Sequence, residues 1–166
     1  MQPDIAWHSS ATSAAVALET HALALLGPGA VSSGRLCPAC GSDAHGRPWL
    51  RHGDRPVHVS LSRSGPHLLT AIAGVAVGVD VEVTAIAVLP ELVLAPGEDG
   101  GEAGQLARAW ARKEAILKMR GTGLETPMTQ VLVAEECWED LPAPEGYVAA
   151  LATGVAGAVH LGIGAQ

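Results

Sequence analysis

The chain has 166 residues, a formal net charge of −7 and an apolar content of 48%, with aromatics at only 3% and no Phe. That length supports one domain with a core, or two small lobes sharing one. The composition excludes a disordered chain, and the acidic balance argues against general nucleic-acid binding.

The core must be assembled from small aliphatic side chains, with Trp7, Trp49, Trp110 and Trp138 as its large pieces. Three cysteines without a framework spacing suit a reducing compartment. The first Lys or Arg is Arg35, so the N-terminus lacks the cationic region of a signal peptide. Residues 147–165 carry no charge but are rich in Ala and Gly, which favours short core strands around a Gly turn over a membrane span. A cytoplasmic protein is the expectation.

In chain order, TSAAVALETHALALL (12–26) reads as an amphipathic helix capped by Thr12 or Ser13 and stopped by Gly27-Pro28. GPGAVSSGRLCPACGSDAHGRP (27–48) reads as irregular. His67 to Ala73 and Val75 to Val83 are β-rich runs meeting at Gly74, and are expected to be neighbouring strands. EDGGEAG leads into QLARAWARKEAILKM, a helix ended by the GTG at 121–123. MTQVLVAE and GYVAALA read as strands, with VAGAVHLGI as a last one. This order gives an α+β fold of two similar halves, 1–75 and 76–166.

Charge alternates in blocks. Four arginines and three histidines fall between His45 and Arg63 against one acid, Asp54, and no Lys or Arg occurs from Ser64 to Ala107. Arg108 to Arg120 is basic again. The bland explanation is solvated surface; the sharper one is an anion pocket beside a cation site.

GVDVEV (78–83) carries two acids in a valine-rich strand, where a buried charge costs several kcal/mol unless paired. A period of two puts Asp80 and Glu82 on one face and Val79, Val81 and Val83 on the other. Any half-exposed strand alternates in this way too. On the later helix, Trp110, Glu114 and Lys118 recur at i, i+4 and i+8 along one stripe, flanked by Lys113. Alone, that spacing describes a Glu–Lys pair on a surface helix.

Together, GVDVE and WARKEAILK resemble the paired signature of the 4′-phosphopantetheinyl transferases of the surfactin-synthetase-activating type, roughly G-[IV]-D-[IV]-E followed by [FW]-x-x-K-E-[AS]-x-x-K. Gly78, Asp80, Glu82, Trp110, Lys113, Glu114 and Lys118 fill its defining positions. HGRP (45–48) is similar to the family's Gly-Lys/Arg-Pro element, and the segment from Ser62 falls where the family has Ser-His-Ser. The chain departs from the pattern at Arg63, where His is usual, and at Thr122, where Lys is common. Its span between the two motifs is also shorter than in long members.

The resemblance, which extends to short actinobacterial-like members, implies a two-lobed α+β fold related by a pseudo-twofold, with the site in the cleft between lobes. It implies transfer of 4′-phosphopantetheine from coenzyme A to a serine of an apo acyl or peptidyl carrier protein, with 3′,5′-ADP leaving. Asp80, Glu82 and Glu114 would ligate Mg²⁺ or Mn²⁺, since all-oxygen donors suit hard cations. Glu114, or a metal-bound water it holds, would be the base, and Lys118 would reach the pyrophosphate. Arg47, Ser62, Arg63, Lys113 and His45 would hold the coenzyme's phosphates and nucleotide. Trp110 is expected to pack as core. Arg108, Arg112 and Arg120 would face an acidic carrier helix, and a monomer would suffice. The rival classes are a non-catalytic module that binds coenzyme A or a carrier protein, and a metal-dependent phosphohydrolase. For Cys37-x-x-Cys40 with His45, ligand count favours two thiols in a turn over zinc, because a structural zinc site wants four ligands.

Overall fold

A computed structural model describes residues 1–37, 39–102, 104–123 and 126–154. Over these the chain is α+β, with two antiparallel sheets and two α-helices. The first sheet contains β1 (Asp4–Ser9), β2 (Val31–Leu36), β3 (Arg47–His52), β4 (Arg55–Ser64) and β5 (His67–Ala73), in the order β1-β5-β4-β3-β2. The second contains β6 (Val77–Val83), β7 (Trp138–Leu141) and β8 (Tyr147–Thr153), in the order β6-β8-β7.

Helix α1 (Ala14–Leu26) begins where the Ser13 hydroxyl accepts from the Val16 N–H at 3.2 Å, and ends at Gly27, whose φ is 87°. It buries Leu18 and Ala22 against Leu50, Val59 and Ile72 of the first sheet. Its buried His21 bridges Thr70 Oγ1 and Asp4 Oδ1, each at 2.8 Å, so a polar network ties α1 to β5 and β1. The other face of β5 presents Leu69, Ala71 and Ala73 to Val77, Val79 and Val81 of β6 and to Ala149 and Leu151 of β8. Helix α2 (Gln105–Arg120) covers the far side of the second sheet, packing Ala111, Ala115 and Ile116 against Val148, Ala150 and Ala152. The layers therefore run helix, sheet, sheet, helix, with apolar faces at all three junctions.

Three expectations are corrected. β5 and β6 are not paired neighbours: β5 already has β1 on one edge and β4 on the other, so β6 turns at Gly74 to Ala76 and pairs with β8. The segment expected to be irregular contains β2, whose register with β3 runs from Val31↔His52 to Leu36↔Arg47. MTQVLVAE forms two short 3-10 turns, Met128–Gln130 and Val133–Glu135, rather than a strand. There the Met128 carbonyl accepts from Lys113 and the Val133 carbonyl from Trp138, so side chains take acceptors a ladder would use. The strand expected at VAGAVHLGI lies outside the described residues. No helix among the described residues is long and apolar enough to cross a membrane.

Candidate active site

The alternation read in GVDVEV holds in three dimensions: Val79 and Val81 face the first sheet, Val83 at the strand end is exposed, and Gly78, Asp80 and Glu82 face α2. Gly78 is where the two elements touch. A Cβ built there would lie 1.9 Å from the Ala115 carbonyl oxygen and 2.5 Å from the Met119 nitrogen, so only a residue without one permits this approach. Two and four residues further along β6, where the gap can hold side chains, stand the two acids. From α2, the stripe Trp110, Glu114 and Lys118 lines the same cavity, of about 420 Å³.

The first sheet closes the cavity through β4. Ser60, Ser62 and Ser64 recur at every second residue, so one face of β4 presents three hydroxyls to the outer edge of β6. Ser60 Oγ accepts from the Val79 N–H at 3.1 Å, Ser62 Oγ donates to Asp80 Oδ1 at 2.7 Å, and Ser64 Oγ reaches Glu82 Oε2 at 3.4 Å. This ladder satisfies part of an otherwise open strand edge and joins the two sheets at the site.

Asp80 is 2% exposed. Lys118 Nζ donates to its Oδ1 at 2.6 Å, while Oδ2 is buried with no hydrogen-bond partner. Burial pushes the Asp80 carboxyl above the usual carboxylate range, against the pull of Lys118 and Ser62. Glu82 and Glu114 are pushed up as well, first by desolvation and then by the negative charge of Asp80. Three mutually opposed acids around an orphaned oxygen are a donor set that fits a hard cation. The oxygens of all three are not drawn together, however. Among the described residues only Cys37, Cys40 and His45 form a group of three metal-ligating side chains within 4.8 Å of one another. Glu82 and Glu114, both half-buried, would have to turn inward to share an ion with Asp80.

Two more cations line the cavity, Arg63 and Arg35. Arg63 donates to the Ser10 and Thr12 carbonyls just before α1, which leaves three of its five N–H donors. Arg35 donates to the Gly46 carbonyl at 3.0 Å. Sequence reasoning missed Arg35 because its strand lay in the stretch read as irregular. It also missed Ser60 and Ser64, although the alternation VSLSRS was there to be read.

Several expected contacts fall elsewhere. Ser62 does not stand as an open phosphate donor, because its proton is committed to Asp80. Arg47 lines a separate hollow over β3 and β4, and its guanidinium packs over Gly121 at the C-terminal end of α2. His45 is exposed beside Cys40. Trp110 both packs against the apolar cluster under α2 and lines the cavity. Arg112 forks onto Asp140 and stacks 4.3 Å from the Trp138 ring, Arg108 reaches Asp140 at 3.7 Å, and Arg120 pairs with Glu136. Those arginines are thus engaged within the chain.

Lys113 departs furthest from its expected role. It is fully buried and donates to the Val93 carbonyl at 2.8 Å, the Met128 carbonyl at 3.1 Å and the Glu98 carboxylate. All three ammonium protons are spent on the loops flanking α2, so none remains for a phosphate. Lys113→Met should therefore cost about 3 kcal/mol in urea denaturation while the folded variant keeps whatever activity the cavity has. A loss of activity with unchanged stability would return Lys113 to the site.

No family model and no curated protein matches this chain.

Proposed function

We propose that the protein is a 4′-phosphopantetheinyl transferase, moving 4′-phosphopantetheine from coenzyme A to a serine of an apo acyl or peptidyl carrier protein. The observation that carries this is the shared cavity: Asp80 and Glu82 from β6 and Glu114 and Lys118 from α2 line one space with two arginines. Acids for a divalent ion beside cations for a pyrophosphate are what phosphoryl transfer needs, since its catalysis is mostly positioning and charge neutralisation.

Asp80, Glu82 and Glu114 would hold Mg²⁺ or Mn²⁺, which would supply Lewis-acid stabilisation of the pyrophosphate. Glu114, which lines the cavity with Asp80 and Lys118, or a metal-bound water that it holds, would take the proton of the carrier serine. The serine oxygen forms a bond to the phosphorus that bears the pantetheine arm, and the bond to the bridging pyrophosphate oxygen breaks. 3′,5′-ADP leaves with that electron pair, and the serine proton passes to that base. Lys118, 30% exposed at its side chain, can swing from Asp80 to neutralise the leaving phosphate. Arg35 and Arg63 bind the anionic coenzyme from the side of the first sheet.

The two-lobed fold belongs to the same proposal, with lobes 1–75 and 76–166. In its support, β1 precedes α1 and pairs antiparallel with β5, while β6 precedes α2 and pairs antiparallel with β8. Each half thus closes the strand before its helix against its own last described strand.

The test is incubation of the purified chain with coenzyme A, Mg²⁺ and a panel of apo carrier proteins drawn from fatty acid, polyketide and nonribosomal peptide assembly. Intact mass should show a phosphopantetheine adduct on at least one carrier, abolished by Glu114→Gln. Release of 3′,5′-ADP from coenzyme A and Mg²⁺ without any carrier would instead mark a hydrolase. Binding of coenzyme A with neither product would mark a non-catalytic module.

A further inference from the structure

A second cluster lies outside the cavity, in the loop that joins β2 to β3. We infer that Cys37, Cys40 and His45 form a zinc site, with water as the fourth ligand. The site goes beyond the proposed transferase activity and shares no residue with the carboxylate cavity.

Geometry carries the assignment. One ligand atom from each of the three residues lies within 4.8 Å of the other two, and Cys40 Sγ stands 3.4 Å from His45 Nε2. A tetrahedral zinc with Zn–S about 2.3 Å and Zn–N about 2.0–2.1 Å separates sulfur from nitrogen by about 3.6 Å. The ligands are therefore already near the spacing an ion imposes.

The loop backbone is built to keep them there. The Gly41 N–H donates to the Cys37 carbonyl at 2.8 Å, and the Cys37 N–H donates to the Ser42 carbonyl at 2.9 Å. These bonds hold Cys37 against Gly41 and Ser42, and Gly41 takes the left-handed conformation (φ 72°) directly after the second cysteine. Gly46 does the same for the histidine. Its φ is 100°, and a Cβ there would lie 2.5 Å from the Cys37 nitrogen and Cα. The backbone next to His45 thus rests on the backbone of Cys37, an approach only glycine allows. Arg35 bonds the Gly46 carbonyl and holds the two ends of the loop together.

Thiolate and imidazole ligands suit zinc over the hard cations of the carboxylate cavity. Ligand count, which from sequence favoured two idle thiols, is compatible with an exposed loop: Cys40 and His45 face solvent, so water can complete a tetrahedron. An ion here would clip both ends of the hairpin loop and stiffen the segment that carries Arg35 into the cavity and Arg47 onto the end of α2.

Cobalt titration of the full chain, stripped of metal and reduced, tests this. Thiolate-to-cobalt charge transfer and tetrahedral visible bands should grow to one equivalent and vanish when zinc is added. Cys37→Ser and Cys40→Ser should lose the charge-transfer intensity, and His45→Ala should weaken binding. Cys137→Ser and Asp80→Asn should leave the titration unchanged, so failure of this site and failure of the transferase reading are distinguishable. Should a cysteine variant misfold, the unmutated protein gives the same answer. Zinc should slow alkylation of Cys37 and Cys40, mapped by peptide mass, by an order of magnitude, and leave Cys137 unaffected. Absence of the cobalt bands from fully reduced protein, or equal alkylation with and without zinc, would overturn the site.

Discussion

Asp80→Asn should lower carrier-protein modification by about 10³-fold or more, read by intact mass at fixed coenzyme A and Mg²⁺. The substitution is nearly isosteric, keeps an oxygen to accept from Ser62 and removes only the charge. The fold has little need of that charge: burial already opposes it, and the partner ammonium on Lys118 has access to solvent. The variant should therefore keep a cooperative thermal transition. What it loses is the group with which Glu82 and Glu114 would share an ion.

A second readout separates ion binding from turnover. Mg²⁺ binding only the folded state stabilises it by RT ln(1 + [L]/Kd), about 2.7 kcal/mol at a hundredfold excess over Kd. The wild-type thermal midpoint should rise with Mg²⁺ accordingly, and that of Asp80→Asn should not. Wild-type turnover by the Asn variant would remove the metal site from the mechanism.

Gly78→Ala should destabilise the protein by about 3 kcal/mol or more, a large part of a typical stability of ~5–15 kcal/mol. Gly78 does not have a positive φ, so backbone strain contributes nothing and the whole effect is steric. The added methyl would meet backbone atoms of α2, the Ala115 oxygen at 1.9 Å and the Met119 nitrogen at 2.5 Å. Neither can rotate away as a side chain would, so α2 must lift from β6. Those two elements carry the acids and Lys118, and any folded fraction should lose transfer along with stability. An unchanged urea midpoint would show that α2 and β6 do not pack this closely.

That contact also explains why a glycine opens the GVDVE stretch, something a period of two does not address. Alternation says which residues share a face of β6. It does not say that the face is covered by a helix at backbone distance. The same limit applies to α2. Its i, i+4, i+8 stripe was legible, and Trp110, Glu114 and Lys118 do line one space. The fate of Lys113 was not legible, because a lysine one residue from that stripe points about 100° away around the helix. There it found three acceptors contributed by loops with no local pattern of their own.

Local pattern alone determined both helices with their C-terminal stops, the strands β5 and β8, the two faces of β6, and the two sets of residues that meet at the cavity. These depend on neighbours within a few positions, where side-chain direction follows from backbone period. Tertiary structure alone decided that β6 leaves the sheet of β5, that β4 ties down β6 with serines, and that Arg35 rather than Arg47 reaches the cavity. Those outcomes depend on which edges are already occupied and which chains cross in space. Only the folded chain brings residues 35, 62, 80 and 114 around one space.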